Sequence, residues 1–564
     1  MKQENVTRHE EEGENHVRKR EYTGFRHFAT AEDRVWPLYG KEFRSREMRR
    51  MAVTSLLSVS QLLEQAAKES PEKEAIYDLT RRMTYGQLLE EVEQLASGLL
   101  SLGIGKGDRV GVCLPNWHET VQLFFAIAKI GAVLVPFNPK YRLHEARHIL
   151  QNSGSRIVFV SEEFEQVGFE AIQPLVEKIV TVRFAKPGFL TFSDVFSGAK
   201  GGNLPDPAID PAEDTFCILY TSGTTGSPKG VMITHRGVVI SGVEIGRSMH
   251  CTSDDVFIIP APLFHIFGMA TNLMSAIYYQ SRIVLMEKYR PRDILRLIEQ
   301  EKVTVHHAVP TMLAQELSLP EFDSYDLSSL RVGMTGASTC PPEVIKAVRE
   351  RMGMKLCISF GTTETGSVTI TGYDDDEEKI LDTVGKALNG NEVRIVNDRR
   401  EPVPTGEIGE IACRGFGTMK GYYKLPEQTL QVLDHEGWYY TGDLGCMDEQ
   451  GYVRFVGRKK DVIIRGGFNI YPQEIENVLQ THPHVEASAI IGLPDPVLGE
   501  IVCAAIRPKP GVKSTEEEII QFLRPLFASY KLPAKVLFVE EFPVTASGKI
   551  QKMKLREEII KQLG

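Results

Sequence analysis

The sequence predicts an α/β protein. It should have a large N-terminal body of two doubly wound α/β sheets plus a small β-barrel, followed by a small mobile α+β cap. Three observations point there. From residue 58 to beyond 180, helix-spaced and strand-like apolar segments alternate, the pattern of parallel sheets with crossover helices. Between about 385 and 457 the segments shorten and are divided by Gly, Asn and Asp turns, which suits an antiparallel β unit. After Gly457 a new βα pattern begins and runs to the C-terminus. The length of 564 residues allows three or four structural units at roughly 150 residues each.

Taken in order, the first 50 residues stand apart, with 12 Lys/Arg, 10 Asp/Glu and no apolar period. Such a stretch cannot bury enough surface to offset its ordering entropy. It reads as a charged, disordered tail over 1–51, or as upstream sequence ahead of a start at Met51. Helices are expected at 58–68 and 85–102, where Leu88, Val92, Leu95, Leu99 and Leu100 share a face. Gly103 to Gly107 superficially resembles a dinucleotide fingerprint, but it precedes its strand and lacks the last spacing, so it reads as a turn. Strands follow at 109–114, 133–136, 156–160 and 179–183, with helices at 119–130 and 170–177. The β unit carries strands at 393–396, 408–413 and 453–456. The cap carries strands at 487–491, 502–507 and 536–539 and a helix at 515–528. The expected division is a body over 52–457 with its barrel at about 385–457, a hinge at 458–461 and a cap over 462–564.

Composition excludes several classes. Hydrophobic residues make up 42% and charged residues 25%, as in ordinary globular chains. A net charge of −10 argues against a general nucleic-acid binder. The longest apolar run, 121–137, is interrupted by Gln122 and Lys129, so no membrane span is expected, although peripheral membrane contact stays open. The eight cysteines lie 17 or more residues apart, which excludes a CxxC redox or zinc site. With no secretory signal at the start, this spacing suggests a reducing, cytoplasmic setting.

Six strings carry chemistry. YTSGTTGSPKG at 220–230 follows the strand-like 217–220 and precedes a helix-like stretch near His235. Its glycines let backbone N–H groups approach phosphate oxygens; Ser222, Thr224 and Thr225 add donors and Lys229 a charge. It is not a Walker loop, because Gly-Lys-Ser/Thr is missing. SFGTTETG at 359–366 sets Glu364 among threonines and glycines, a combination suited to Mg2+ bound together with a phosphate. A glycine turn capped by a glutamate fits it as well. VGMTGAS at 332–338 offers small residues after a strand, suited either to packing or to close passage of a flat base or acyl chain. WYYTGDLG at 438–445 and FVGRKKD at 455–461 offer Asp443 for a ribose diol and Arg458 beside it. SGK at 547–549 places Lys549 after a flexible pair, where a plain surface lysine is the alternative.

Together, in order and spacing, these strings resemble the adenylate-forming enzymes: acyl-CoA synthetases, aryl-CoA ligases, luciferases and non-ribosomal adenylation domains. The resemblance spans about residues 55–562. It implies that a carboxylate attacks the α-phosphate of ATP and that the thiol of coenzyme A then displaces AMP. Thr221, Ser222, Gly223, Thr224, Thr225, Gly226 and Lys229 would hold the β- and γ-phosphates. Thr363 would touch phosphate and Glu364 would ligate Mg2+. Gly336, Ala337, Phe360, Gly361 and Thr362 would surround the nucleotide, with Phe360 standing where the family often has Tyr. Asp443 and Arg458 would take the ribose. Lys549 would bridge the substrate carboxylate and the α-phosphate.

The resemblance further implies a cap that rotates about Lys460 between the two half-reactions. Rotation would bring Arg465, Gly466 and Gly467 to coenzyme A. His265 would stand beside the carboxylate, with Phe267, Gly268, Gly333 and Met334 around the acyl chain. Amino-acid-activating relatives place an Asp after that His to pair the substrate ammonium; Ile266 stands here, and an ammonium buried beside it would be costly. The expected activity is therefore a medium- or long-chain fatty acyl-CoA synthetase. The Gly-Lys-Ile-Gln-Lys ending from Gly548 points the same way. An aryl- or branched-acid ligase, or an enzyme loading a carrier protein, is the alternative. A monomer or homodimer is expected.

Overall fold

The computed structural model describes residues 57–199, 204–221, 228–544 and 550–563. The tail expected over 1–51 lies outside the described residues.

Two large mixed sheets make the body. In the first, six parallel strands run in the spatial order Lys355–Thr362, Val332–Thr335, Val305–His306, Val256–Ile259, Arg282–Leu285 and Glu74–Tyr77. Antiparallel strands edge it on both sides: Gly366–Ile370 and Lys386–Ala387 at one end, Arg82–Thr84 at the other. The second sheet has a parallel core of Thr215–Thr221, Val133–Pro136, Arg109–Cys113, Ile157–Val160, Lys178–Thr181 and Leu190–Thr191. Lys229–Thr234 pairs antiparallel with Thr215–Thr221, and the short strand Gly421–Tyr422 closes that edge.

Helices between the sheets explain the apolar run at 121–137. The helix His118–Lys129 is buried from Glu119 to Ala128, because it packs against the helices Val59–Glu69 and Tyr85–Ser101 as well as the sheets. A helix hydrophobic all round belongs inside. The run ends in the buried strand Val133–Pro136. Among the described residues no helix is long and apolar enough to cross a membrane. Both amphipathic helices start on the caps their sequences offer: Ser58 and Thr84 each accept the N–H of a residue three positions on, and Gln61 and Gln87 reciprocate.

The β unit differs from its expected closure. Glu392–Val396, Gly409–Arg414, Tyr439–Met447 and Val453–Arg458 form an open four-stranded antiparallel sheet in that order, not a closed barrel. Among the described residues its two outer strands form no ladder with each other. One face is covered from inside: Ile395, Ile411, Cys413, Tyr439 and Val453 join the main hydrophobic core. A sheet whose inner face is already covered needs no closure to bury it.

The C-terminal unit is built on the long hairpin Val485–Asp495 and Gly499–Pro508. The hairpin Ile463–Arg465 and Phe468–Ile470 extends one side and Lys535–Phe538 adds a parallel strand. The helices Pro472–Leu479 and Glu516–Leu523 cover one face, and Lys552–Leu563 the other. Where a helix was expected over 515–528, it ends at Leu523, and the turn Ser529–Lys531 follows. All eight cysteines are free thiols and seven are buried. Desolvation pushes the thiols of Cys340, Cys357 and Cys413 up to about 12, which makes them poor nucleophiles.

Candidate active site

Among the described residues, Thr221, Gly336, Ala337, Phe360, Gly361 and Thr362 lie at the carboxyl ends of parallel strands, where open α/β sheets bind ligands. Thr221 ends one strand and Lys229 begins the next, directly opposite in register. Phe360, Gly361 and Thr362 end the strand Lys355–Thr362, and Thr363 and Glu364 form the turn after it. Gly336 and Ala337 follow the neighbouring strand. A Cβ at Gly336 would lie 2.7 Å from the Ser359 carbonyl oxygen, so only glycine lets the two strand ends run this close. Ala337 holds a left-handed φ of 66° and is exposed. Ser222, Gly223, Thr224, Thr225, Gly226 and Lys549 lie outside the described residues.

A segment that motif reading passed over ties these pieces together. The Tyr422 hydroxyl donates to Glu364 Oε1 at 2.9 Å, and the Lys229 ammonium lies over the same ring, 4.7 Å from its centroid. The backbone repeats the connection. Met419 N–H donates to the Glu364 carbonyl at 2.7 Å, and Tyr423 N–H to the Gly230 carbonyl at 2.7 Å. Burial, reinforced by the Glu364 charge, pushes the Tyr422 phenol well above its usual pKa. Tyr439 packs its phenol against Tyr422 and opens the strand that carries Asp443.

Asp443 and Arg458 are direct partners across two antiparallel strands, with Arg458 Nε 3.3 Å from Asp443 Oδ1. The carboxylate is buried and the guanidinium half-exposed. Phe455, three residues before Arg458, lies 6.1 Å from Phe360 between ring centroids, tilted by 34°. The open β sheet thus meets the first large sheet at the residues expected to flank a nucleotide.

On the acid side, His265 is half-buried, and its Nδ1 accepts the Phe267 N–H at 3.3 Å. That bond leaves the proton on Nε2, the nitrogen able to donate. Desolvation holds its pKa below the ordinary imidazole value, so the ring is neutral at pH 7. Phe267 opens a π-helix, Phe267–Met274, whose first carbonyl also accepts the Asn272 side-chain amide at 2.9 Å. Three expected acyl-pocket residues have a packing role as well. A Cβ at Gly268 would lie 2.2 Å from the Pro262 carbonyl oxygen, and one at Gly333 would lie 2.2 Å from that of His306. Both glycines serve close backbone packing, and Met334 is buried between strands. His265, Ile266 and Phe267 remain as the half-exposed wall.

In the C-terminal unit, Gly466 and Gly467 form the two-residue turn of the hairpin with φ of 57° and 85°, the all-positive turn that glycine favours. Arg465 is turned inward, donating to the carbonyls of Tyr530 at 2.7 Å and Leu532 at 3.3 Å. Lys460 sits in the turn Lys459–Asp461, where burial lowers its pKa. Its neighbour Lys459 is held by Glu410 at 3.0 Å and Asp398 at 2.9 Å.

Away from these strand ends, Asp78, His118 and Glu119 converge closely enough to hold a metal ion. The Arg183 guanidinium fills that position instead, paired with Asp78 and with Glu119 at 2.7 Å. The group is an internal ion-pair network.

Comparison with known proteins agrees with this geometry. The family model described as AMP-binding enzyme matches residues 63–423, and that of its C-terminal domain matches 474–549. YngI of Bacillus subtilis (strain 168), whose name assigns it provisionally to the acyl-CoA synthetases, is 38% identical over 536 residues. That alignment covers 89% of this chain and 97% of YngI. The mitochondrial medium-chain acyl-CoA ligase ACSF2 of Mus musculus is 35% identical over 546 residues, covering 90% of this chain and 88% of that one. Among solved structures, ATP-bound MatB from Rhodopseudomonas palustris superposes with a TM-score of 0.81. It is 29% identical, over 89% of this chain and 99% of MatB. The chain therefore belongs to the AMP-binding enzyme family, among its acyl-CoA synthetases, and is an ATP-dependent, AMP-forming ligase.

Proposed function

We propose that this ligase activates a medium- or long-chain fatty acid and transfers it to coenzyme A. The observation that carries the acid assignment is the half-exposed wall of neutral His265, Ile266 and Phe267. A carboxylate accepts from His265 Nε2–H, and the apolar neighbours suit an alkyl chain while leaving an ammonium unpaired. The 35% identity to a medium-chain ligase supports the same class.

In the first half-reaction a carboxylate oxygen attacks the α-phosphorus of ATP, and the bond to the bridging oxygen breaks, releasing pyrophosphate. Lys229, Thr221 and the loop between them hold the leaving phosphates, and Thr363 lies beside them. Phe360, Gly336 and Ala337 flank the adenine, while Asp443 and Arg458 bind the ribose. Lys549 neutralises charge as it builds on the carboxylate and the α-phosphate. Glu364 suits Mg2+: Oε1 is taken by Tyr422, and Oε2 has no hydrogen-bond partner among the described residues. One carboxylate plus phosphate oxygens is the usual Mg2+ arrangement, and the ion would offset triphosphate charge. In the second half-reaction the sulfur of coenzyme A, having lost its proton, attacks the acyl carbonyl and AMP leaves. The cap, 462–564, turns about the hinge at 458–461 to withdraw Lys549 and bring in the Gly466–Gly467 turn.

A pyrophosphate-release screen over straight-chain acids from acetate to stearate, with 4-coumarate alongside, tests the acid. At ~0.8 kcal/mol per buried methylene, kcat/KM rises about fourfold per carbon until the chain fills the pocket. A preference for 4-coumarate over octanoate and palmitate would replace the fatty-acid reading with an aryl-acid one.

A further inference from the structure

We infer that Tyr422 is a positioning residue for phosphate handling: one phenol fixes the Glu364 carboxylate with its hydroxyl and the Lys229 ammonium with its ring face. The inference rests on the proposed roles of Glu364 and Lys229 and adds a residue to them. Glu364 and Lys229 belong to different sheets. Glu364 follows the strand Lys355–Thr362 of the first, and Lys229 begins an antiparallel strand of the second. Left to their own loops, these two side chains would have no common reference.

The segment 419–423 supplies one. Gly421 and Tyr422 pair in register with Met232 and Val231, so Tyr422 is carried by the strand that begins at Lys229. Its hydroxyl then crosses to Glu364 at 2.9 Å, and Met419 N–H holds the backbone of the same glutamate. The ring is itself fixed. Tyr422 is only 6% exposed, and its N–H donates to Thr429 Oγ1 at 2.9 Å. The strand end allows little slack, because a Cβ at Gly230 would lie 2.7 Å from Ile218 and 3.1 Å from Tyr220.

Charge gives the arrangement its direction. A cation over the face of an aromatic ring is attracted by the ring quadrupole, and a phenol donating to a carboxylate forms a charge-assisted hydrogen bond. Oε1 is thus committed to Tyr422 and Oε2 is left as the ligand atom, with the carboxylate plane set before a cation arrives. A catalytic constellation gains from such fixing because no reorganisation is needed when the ligand binds. Tyr422 touches neither substrate in this account; it acts through Glu364 and Lys229.

The test uses Mn2+ in place of Mg2+ and a non-cleavable α,β-methylene ATP, read by electron paramagnetic resonance on the full chain. Tyr422→Phe keeps the ring under Lys229 and removes only the hydroxyl. Mn2+ binding in the ternary complex should weaken about three- to tenfold, the range of one hydrogen bond, with nucleotide affinity in the absence of a divalent cation unchanged. Tyr422→Leu removes the ring as well and should also weaken nucleotide binding in the absence of a divalent cation. In a Glu364→Gln background Tyr422→Phe should cause no further loss, a non-additivity that general destabilisation does not produce. Wild-type Mn2+ affinity in Tyr422→Phe would overturn the inference and leave the ligase reading intact. Failure of the unaltered protein to bind Mn2+ with the nucleotide would overturn the proposed metal role of Glu364 along with the inference.

Discussion

The strand ends of the body that are proposed to face phosphate and the Gly466–Gly467 hairpin of the C-terminal unit both depend on glycine, for opposite reasons. In the body a Cβ at Gly336 would press on the Ser359 carbonyl, and one at Gly361 would lie 2.1 Å from the Gly366 carbonyl oxygen. Glycine is needed there because other backbone is already in place. At Gly467 nothing lies within 4 Å of the added atom, and the φ of 85° is what demands glycine. The hairpin also leaves Ile464 55% and Phe468 56% exposed. Under the proposed division of two reactions, the groups assigned to ATP are held by surrounding backbone, while the hairpin assigned to the second step keeps an exposed face.

The largest expected effect breaks one side of that contrast. Lys549→Ala should slow acyl-adenylate formation ~10²–10³-fold, or ~2.7–4 kcal/mol for one lost electrostatic stabiliser. Reaction of supplied acyl-adenylate with coenzyme A should change far less, and single-turnover assays of the two steps measure both. Next, Asp443→Ala removes the ribose acceptor and leaves Arg458 without this partner. It should cost about 1.5–3 kcal/mol in kcat/KM for ATP. The unaltered protein should discriminate between ATP and 2′-deoxy-ATP, and the variant should not.

The third prediction concerns acid. Burial lowers the pKa of His235 to about 4 and of His307 to about 3. Both are buried in the body, and their folded pKa values lie below the unfolded value of about 6.5. The unfolded state therefore binds more protons as pH falls. Their contribution is complete above about 6.5 and is lost on going down towards the folded values. The unfolding free energy of the body, from urea titration, should drop between pH 7 and pH 5 by about 2 kcal/mol per imidazole. A flat profile would show that these rings titrate normally. The smallest effect belongs to the hairpin: Gly467→Ala costs about 1–2 kcal/mol of left-handed strain. It should slow thioester formation about tenfold and leave adenylation within about twofold.

Local strings made much of this readable. The parallel strands at 109–113, 133–136 and 157–160 are short buried runs between helices, and the structure places them within one or two residues of expectation. Asp443 and Arg458 sit in separate strings, yet antiparallel pairing makes them neighbours. Tyr422 was not legible because its meaning is non-local: it lies 58 residues from Glu364 in sequence and pairs with a strand still further away. The open β sheet was misjudged because strand periodicity reports which face is buried and says nothing about whether the outer strands meet. Gly268 and Gly333 are expected around the acyl chain, and the structure adds that neighbouring backbone approaches each too closely for a side chain. A glycine in sequence does not reveal what approaches it.

The most direct measurement is a rapid-quench comparison of both half-reactions with octanoate in Lys549→Ala and Gly467→Ala. A crossed pattern is expected: the lysine variant loses adenylation and keeps thioester formation, and the glycine variant does the reverse. Parallel loss of both steps in both variants would contradict the division of labour between a fixed nucleotide face and an uncommitted cap.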